Sequence, residues 1–459
     1  MSEPMHRNLL SRRELLRSAS CGFAYLAFAG LSSELAAAES GYKSPLARRV
    51  PHFRPHARRV IFLFMQGGPS HVDTFDYKPK LQEDGRKTSS QGQLLPSPWQ
   101  FQQHGESGLW ISELFPRLAQ HADDLCLINS MHTDSPAHPQ ATIMVHTGSI
   151  NFVRPSVGAW TLYGLGTENQ DLPGFITINP LPRLGGAQNY GSAFLPACYQ
   201  GTAIGGGSGP AVANLGNREI GLPEQRKQLD LLQAMNRDFL GRSRRNLEIE
   251  GLIQSYELAF RMQTTVPEVL DIGGESRSTL ELYGIGGGLP SSQFGRQCLM
   301  ARRFAEAGVR YIEICHNGWD QHNRLEQRLT ANARATDAGI AGLITDLKQR
   351  GLFEDTLLVW GGEFGRTPTA QGKGKDGRRH NNRGYTMWMA GGGVRGGIRH
   401  GATDHYGAES VEDKVHIHDL HATILHLLGL DHEKLTYRYA GRDFRLTDVY
   451  GNVVKDIVA

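Results

Sequence analysis

This chain of 459 residues has few cysteines, little net charge and no long apolar run beyond its first forty residues. Its five cysteines, Cys21, Cys126, Cys198, Cys298 and Cys315, form no C-x-x-C pair, which argues against a disulfide framework and against a zinc knuckle. No later apolar run is long enough to span a bilayer. With 49 basic and 46 acidic residues and no basic face, the composition argues against nucleic acid as a partner.

The first forty residues have the order of an export signal. Arg12 and Arg13 precede a mostly apolar stretch over residues 19–31, and three alanines at 36–38 follow. Paired arginines, a modest apolar region and a small-residue cleavage site predict a twin-arginine signal peptide over residues 1–38. The alternative is a basic patch that runs into a short buried helix. The signal predicts a periplasmic or extracellular protein.

A linker is predicted over residues 39–57, and an α/β domain over residues 58–459. Helix and strand patterns alternate at 294–307, 309–315, 324–350 and 356–360. This rhythm predicts a mostly parallel central sheet with helices on both faces.

Several further segments have recognisable patterns. Buried strands are predicted at 60–65 and 125–128, a short amphipathic helix at 109–121, and a long charged helical stretch at 223–261. A glycine-rich insertion spans about 184–220. It has no preceding strand and no G-K-[ST] ending, which favours a surface loop over a phosphate-binding loop.

Carboxylate and imidazole residues flank three of the apolar strand patterns. Asp320 and His322 follow the strand at 309–315, Glu363 follows the strand at 356–360, and His380 precedes the run at 385–390. Ligands of open α/β sheets bind where parallel strands end. These four residues therefore predict one shared metal site.

The same segments resemble the alkaline phosphatase and sulfatase superfamily. Residues 355–365 resemble its metal-binding turn, with Glu363 at the position of an Asp and Phe364 in place of a His. Asp320 and His322 resemble its Asp and His ligand pair, and His380 resembles a late His ligand. The resemblance implies an Asp-His-His set suited to zinc or another divalent ion.

A second ion is implied by the superfamily, but its usual first-strand Asp is missing. Gln66 and two glycines follow the first strand, so the ligand role falls to His71, Asp73 or Asp76 in the next loop. The alternative role for either carboxylate is to cap the following turn.

The nucleophile of the superfamily is also replaced. Residues 135–148 resemble the helix that follows the sulfatase nucleophile, but His138 and Thr142 occupy the positions of the formylglycine and Arg residues. The candidates are Ser135 or Thr142 as a hydroxyl nucleophile and His138 as a ligand or base. The alternatives are a helix cap for Ser135 and a buried helix hydroxyl for Thr142. Arg366 is a candidate clamp for an anionic oxygen, or else part of a surface salt bridge.

Nearly all of the chain after the signal resembles the bacterial family named domain of unknown function 1501. The shared phrases are Gly-Gly-Pro-Ser-His at 67–71, Gly-Trp-Asp at 318–320, Gly-Gly-Glu-Phe-Gly-Arg at 361–366 and the segment 415–423. Members often carry Gly-Arg-Asp-His where this chain has Arg379 before His380.

These patterns predict an exported metal-dependent hydrolase of phosphate or sulfate esters, acting on a small-molecule or glycan substrate. One or two ions are expected, with zinc favoured over calcium, magnesium or manganese. The first alternative is a catalytically degenerate member that binds an extracellular glycan or a partner protein. The second is an isomerase or transferase that uses one ion.

Overall fold

A computed structural model of the chain describes residues 44–89, 92–205, 212, 215–216, 219–242 and 247–459. Residues 45–459 form one compact unit. The predicted signal peptide lies outside the described residues, as do most residues from 206 to 218 of the glycine-rich insertion. The prediction that no strand precedes the glycine run of this insertion is wrong, because Thr202–Ile204 is a strand of the central sheet. Residues 45–57, predicted as a linker, belong to the compact unit, where the His56 and Ala57 amides bind the Leu427 carbonyl.

The central sheet has nine strands. In chain order they are β1 (Arg59–Met65), β2 (Leu125–His132), β3 (Phe175–Ile178), β4 (Thr202–Ile204), β5 (Tyr311–His316), β6 (Thr356–Gly361), β7 (Tyr385–Ala390), β8 (Ile398–His400) and β9 (Val415–His416). The spatial order is β8-β2-β7-β6-β1-β5-β3-β4, and β9 also pairs with β2. Only β7 runs antiparallel to its neighbours in this sheet; all other pairings are parallel.

Nine α-helices lie within the described residues. They are α1 (Pro79–Asp84), α2 (His138–Thr147), α3 (Val157–Leu165), α4 (Leu222–Arg242), α5 (Leu247–Leu270), α6 (Arg277–Leu282), α7 (Ser292–Glu306), α8 (Leu325–Gln349) and α9 (Ile417–Leu427). None of these helices has the length and apolar character needed to cross a membrane.

Short antiparallel strand pairs lie outside the central sheet. They are Thr88–Ser89 with Gly92–Gln93, Phe101–His104 with Leu109–Ser112, Gly365–Gln371 with Gly377–Asn381, Ala402–Thr403 with Ser410–Glu412, and Tyr437–Tyr439 with Arg442–Phe444.

Side chains of the central strands alternate between two hydrophobic cores. In β1, Ile61 and Leu63 face a core that contains α7 and α8, whereas Phe62 and Phe64 face a core that contains α2, α3 and α9. Successive residues of a strand point to opposite faces, so helices cover the sheet on both sides. The predicted α/β fold with a mostly parallel sheet is confirmed.

The predicted helix at 109–121 is wrong. Leu109 and Ile111 are buried while Trp110 is exposed, which is the alternation of a strand, and Leu109–Ser112 pairs with Phe101–His104. Pro116 then interrupts any helix across this segment. Only its end is helical, as a 3₁₀ turn over Leu118–Asp124. The charged stretch at 223–261 is occupied by two helices, α4 and α5, rather than one.

The reversed direction of β7 positions one part of the site. Trp360 of β6 lies opposite Trp388 of β7, so the beginning of β7 is at the same sheet edge as the end of β6. His380, which precedes β7, therefore reaches the edge where β5 and β6 deliver the residues that follow them.

Candidate metal centre

Four side chains converge at the carboxyl edge of the sheet. Oδ1 of Asp320 lies 2.9 Å from Nε2 of His322 and 3.3 Å from Nε2 of both His138 and His380. One ligand atom from each of the four residues lies within 4.8 Å of the other three. We call this set the rim cluster; it is the one such group found among the described residues.

Each imidazole of the rim cluster is held by its other ring nitrogen. Nδ1 of His138 lies 2.5 Å from Oε1 of Glu363, and Nδ1 of His322 lies 2.7 Å from Oε1 of Gln371. Nδ1 of His380 lies 2.7 Å from the carbonyl oxygen of Pro136. All three partners are acceptors, so Nδ1 of each ring keeps its proton, and a bound metal ion would take the place of any proton on Nε2. Metal-bound histidines are oriented in this way.

Asp320 is held ionised by its surroundings. Burial favours the neutral acid, but hydrogen bonds from His138 and His380 and the charge of Arg366 outweigh it and lower the pKa of Asp320 well below its usual range. The same contacts act on His138. Burial disfavours its charged form, but Asp320 and Glu363 raise its pKa to about 9. For His322, burial lowers the pKa.

Arg366 fixes Asp320 from below. Its guanidinium is fully buried, and Nη2 donates to Oδ1 of Asp320 at 2.6 Å. Nη2 also donates to the carbonyls of Gly67 and Trp319, while Nε and Nη1 donate to those of Gly68 and Arg378. With its donors engaged in this way, Arg366 has no free face for an anionic oxygen of a substrate. It forms a salt bridge, as the sequence alternative had it, but the bridge is buried rather than on the surface.

Glu363 also ties the loop after β1 to the site. Both of its carboxylate oxygens accept the Gly67 amide at 3.0 Å. Gly67 has a φ of 121°, and a Cβ at this position would lie 2.5 Å from the Asp320 nitrogen. Only glycine permits that approach. Glu363, predicted as a ligand, is thus placed behind His138 rather than among the four converging side chains.

The residues predicted to hold a second ion lie in other contacts. Asp73 is buried and forms a two-point ion pair with Arg378, at 2.7 and 2.8 Å. Nε2 of His71 lies 2.8 Å from the Gly407 carbonyl. Asp76 pairs with Lys78 at 2.9 Å. The rim cluster does not include any of them.

The predicted nucleophiles differ in their local contacts. Ser135 accepts the Ala137 amide at 3.1 Å, as a residue preceding α2 does. Thr142 lies in the middle of α2, fully buried, and its hydroxyl has no hydrogen-bond partner among the described residues. His138, at the first position of α2, is the residue of this segment that reaches the rim.

A second imidazole and carboxylate pair lies in the core beneath the site. Nε2 of His146, in the last turn of α2, lies 3.2 Å from Oε2 of Glu313 on β5, and the two side chains are 1% and 2% exposed. Burial raises the pKa of Glu313 but the His146 charge lowers it further, so the net shift is downward. Burial lowers the pKa of His146, yet Glu313 produces a net rise. We call this the core pair.

Sequence reasoning missed the core pair and two of the three acceptors that hold the histidines. A carboxylate within the buried pattern Ile312-Glu313-Ile314 was the available signal, because a buried charge requires a partner. Gln371 and the Pro136 carbonyl gave no signal.

The donor set of the rim cluster fits a divalent ion. Three imidazoles and one carboxylate are ligands that zinc and other borderline metals prefer. The side chains of His138 and Asp320 are 14% and 41% exposed, so the cluster is accessible to solvent on one side. Asp320 would bring the negative charge, and the three acceptors would keep each Nε2 available.

Solved structures that resemble this chain share little sequence with it. They include the PsFucS1 sulfatase from Pseudoalteromonas sp. (14% identity, 83% of this chain and 69% of that chain covered, TM-score 0.36). Lipoteichoic acid synthase LtaP from Listeria monocytogenes shows 10% identity over 88% of this chain and 78% of its own, with a TM-score of 0.37. Alkaline phosphatase from the Antarctic bacterium TAB5 shows 10% identity over 82% and 99%, with a TM-score of 0.34.

No curated protein matches the sequence. A family model does match, over residues 57–458, which is nearly all of the described chain, and its description is "protein of unknown function". The chain therefore belongs to the DUF1501 family.

Proposed function

We propose that this protein is an exported hydrolase of phosphate or sulfate esters that uses one divalent ion, held by His138, Asp320, His322 and His380. The observation that carries the proposal is the convergence of three imidazole Nε2 atoms on Asp320, each with its Nδ1 bound to an acceptor. The donor set favours zinc. The ester class rests on the superfamily that the motifs around Asp320 and Glu363 resemble.

A divalent ion at this position would supply Lewis-acid chemistry, neutralising charge on the ester and lowering the pKa of water toward 7. The residues of the chain prepare the site for it. Arg366 holds Asp320 in one orientation, and Glu363 aligns His138 while it also binds the loop after β1. The exposed side of Asp320 provides the approach for a substrate.

A non-catalytic binding role is the competing proposal, and one observation favours it. Zinc sites with four protein ligands are closed, whereas catalytic sites keep one position open. In addition, the Ser135 hydroxyl accepts the Ala137 amide, and the Thr142 side chain is fully buried. For hydrolysis, water must then be the attacking group, and one of the four side chains must yield a position to it or the ion must accept a fifth ligand.

The deciding experiment measures metal and turnover together. Metal content is determined by elemental mass spectrometry on wild type, Asp320→Ala and, as a control for loss of an exposed histidine, His405→Ala. The same proteins are assayed with p-nitrophenyl phosphate and p-nitrophenyl sulfate. We expect near-stoichiometric metal and ester cleavage in wild type and His405→Ala, and loss of both in Asp320→Ala. Bound metal without cleavage of either ester would favour the binding role.

Export is the second component of the proposal, and the order of residues 11–38 supports it. The twin-arginine route carries proteins that are already folded, so it suits a protein whose metal is bound before secretion. Replacing Arg12 and Arg13 by lysine should retain the full-length precursor in the cytoplasm. Undiminished appearance of the mature protein outside the cytoplasm would contradict this route.

A further inference from the structure

Segments of the chain that flank two of the rim histidines also line a cleft with three arginines. One wall is the first three turns of α8, with Arg324, Arg334 and Glu326, and the opposite wall carries Arg86, Leu95 and Pro98. Its volume, about 640 Å³, is within the range of ligand-binding clefts.

The arginines of α8 are spaced along the cleft. Residues 327, 331 and 334 follow the spacing of one helix face, and Arg324 directly precedes the helix, so the backbones of Arg324 and Arg334 are separated by about 15 Å along the axis. Both residues are exposed. Within the described parts of the chain, neither guanidinium takes part in an ion pair or hydrogen bond, whereas Nη1 of Arg86 donates to the Lys375 carbonyl at 3.3 Å. Arginine presents paired donors that match sulfate, phosphate and carboxylate groups.

The cleft is joined to the rim cluster through the backbone. Arg324 is two residues beyond His322, and its amide donates to Oδ2 of Asp376 at 3.1 Å. The Leu325 amide donates to the Asp376 carbonyl at 2.8 Å. Four residues after Asp376, the chain reaches His380. The inner end of the cleft is therefore built on the same segments that carry two of the rim histidines.

We propose that this cleft binds a second anionic group of the substrate, so that the preferred substrate is a polyanionic ester with anionic groups spaced along an extended molecule. This inference rests on the proposed function for the choice of ester, and it adds the substrate class. The ester to be cleaved occupies the rim cluster, and a further sulfate, phosphate or carboxylate lies between Arg324 and Arg334.

The cleft also contains two acidic residues, and removing the charge of one of them should strengthen the binding of a polyanion. Asp376 already accepts the Arg324 amide, so part of its charge is satisfied. Glu326 is exposed in the first turn of α8 and faces the same space. A polyanion is repelled by Glu326, and Glu326→Gln should tighten its binding two- to fivefold.

The direct test is calorimetric binding of sucrose octasulfate, a compact polyanion, to metal-loaded protein at 0.1 M salt. The double variant Arg324→Gln/Arg334→Gln should weaken binding at least tenfold. Arg399→Gln, which removes an exposed arginine of β8 outside the cleft, should leave it within twofold. Equal weakening in both variants, or none in the double variant, would overturn the cleft as the binding site.

The same probe separates this inference from the proposed function. Asp320→Ala keeps the cleft arginines, so it should bind sucrose octasulfate within threefold of wild type when both proteins are compared without metal. If wild type binds the probe through the two arginines but cleaves no ester, the cleft is supported and hydrolysis is not. If esters are cleaved but the double arginine variant binds sucrose octasulfate as tightly as wild type, hydrolysis is supported and the polyanionic substrate class is not.

Discussion

The rim cluster and the core pair combine the same chemical groups with opposite consequences. Both use one histidine of α2, eight residues apart, and one carboxylate in or just after β5. In the core pair, one imidazole meets one carboxylate with almost no exposure. At the rim, three imidazoles surround one carboxylate that is 41% exposed.

The core pair is one imidazole matched by one carboxylate, whereas the rim cluster gathers three imidazoles around a single carboxylate. Glu313 also accepts hydrogen bonds from the thiol of Cys315 at 2.9 Å and from the hydroxyl of Thr177 at 3.3 Å. These contacts satisfy the charge inside the protein. At the rim, the acceptors instead direct three Nε2 atoms toward a common point, which is an arrangement for a cation.

The largest expected effect is the loss of metal affinity when Asp320 of the rim cluster is replaced. Asp320→Ala should reduce metal affinity by more than about 100-fold, because the loss of a direct ligand exceeds the roughly 10- to 100-fold effect of outer partners. Asp320 is also the charged partner of the buried Arg366, so the variant should lose stability as well, and metal affinities are compared at equal folded fraction. Competition with a chelator measures the affinity, and Asp171→Ala, at another exposed aspartate, is the control. Unchanged affinity would remove the rim cluster as the metal site.

Replacement of Glu313 in the core pair should affect stability rather than metal binding. Glu313→Gln should cost about 3 to 5 kcal/mol of unfolding free energy, because it leaves His146 buried without its partner. Denaturant unfolding gives this value, and Glu412→Gln, at an exposed carboxylate, should fall within about 0.5 kcal/mol of wild type. The metal content of the folded Glu313→Gln protein should equal that of wild type. A parallel loss of metal would show that the two groups are not independent.

Glu363→Gln tests the acceptor behind His138. The amide oxygen can still accept from Nδ1, but the negative charge is lost, so metal affinity should fall by about 10- to 100-fold. Gln371→Leu offers a matched comparison at His322, where the acceptor is already neutral. Its effect should come from orientation alone and be smaller. Chelator competition on both variants, at equal folded fraction, measures the two losses of metal affinity. A larger loss in Gln371→Leu would show that the charge of Glu363 is not the more important of the two contacts.

The smallest effect is a pH dependence of stability that belongs to the core pair. The lowered pKa of Glu313 stabilises the fold above about pH 4.5, and this contribution is lost as pH falls through the folded value. The raised pKa of His146 stabilises it below about pH 6.5, and this contribution is lost as pH rises through the folded value. Wild type should therefore lose on the order of 1 kcal/mol more than Glu313→Gln between pH 6 and pH 9. If the unfolding free energies of the two proteins changed with pH in the same way, the ion pair between His146 and Glu313 would be contradicted.

The sequence predicted five strands of the central sheet, at 60–65, 125–128, 309–315, 356–360 and 385–390, because each has a long apolar run. It missed the shorter strands at 175–178, 202–204, 398–400 and 415–416, which have no such run. It could not separate ligand from supporting residue. Whether Glu363 faces outward or contacts His138 depends on a residue 225 positions away. Asp73 is engaged by Arg378, 305 positions distant, and no local pattern indicates such a pairing. The helix predicted at 109–121 failed because a strand hairpin and Pro116 overrode its apolar spacing.

One connecting segment, between the end of β6 and the start of β7, supplies several of the residues at the rim cluster. It carries Glu363, Arg366, Gln371, Arg378 and His380, and its two ends are held by the Trp360 and Trp388 pairing of adjacent strands. Replacement of this one segment would exchange a ligand and most supporting contacts at once, while the sheet remains intact. New metal preferences can therefore arise by recombination of some twenty residues rather than by scattered point changes.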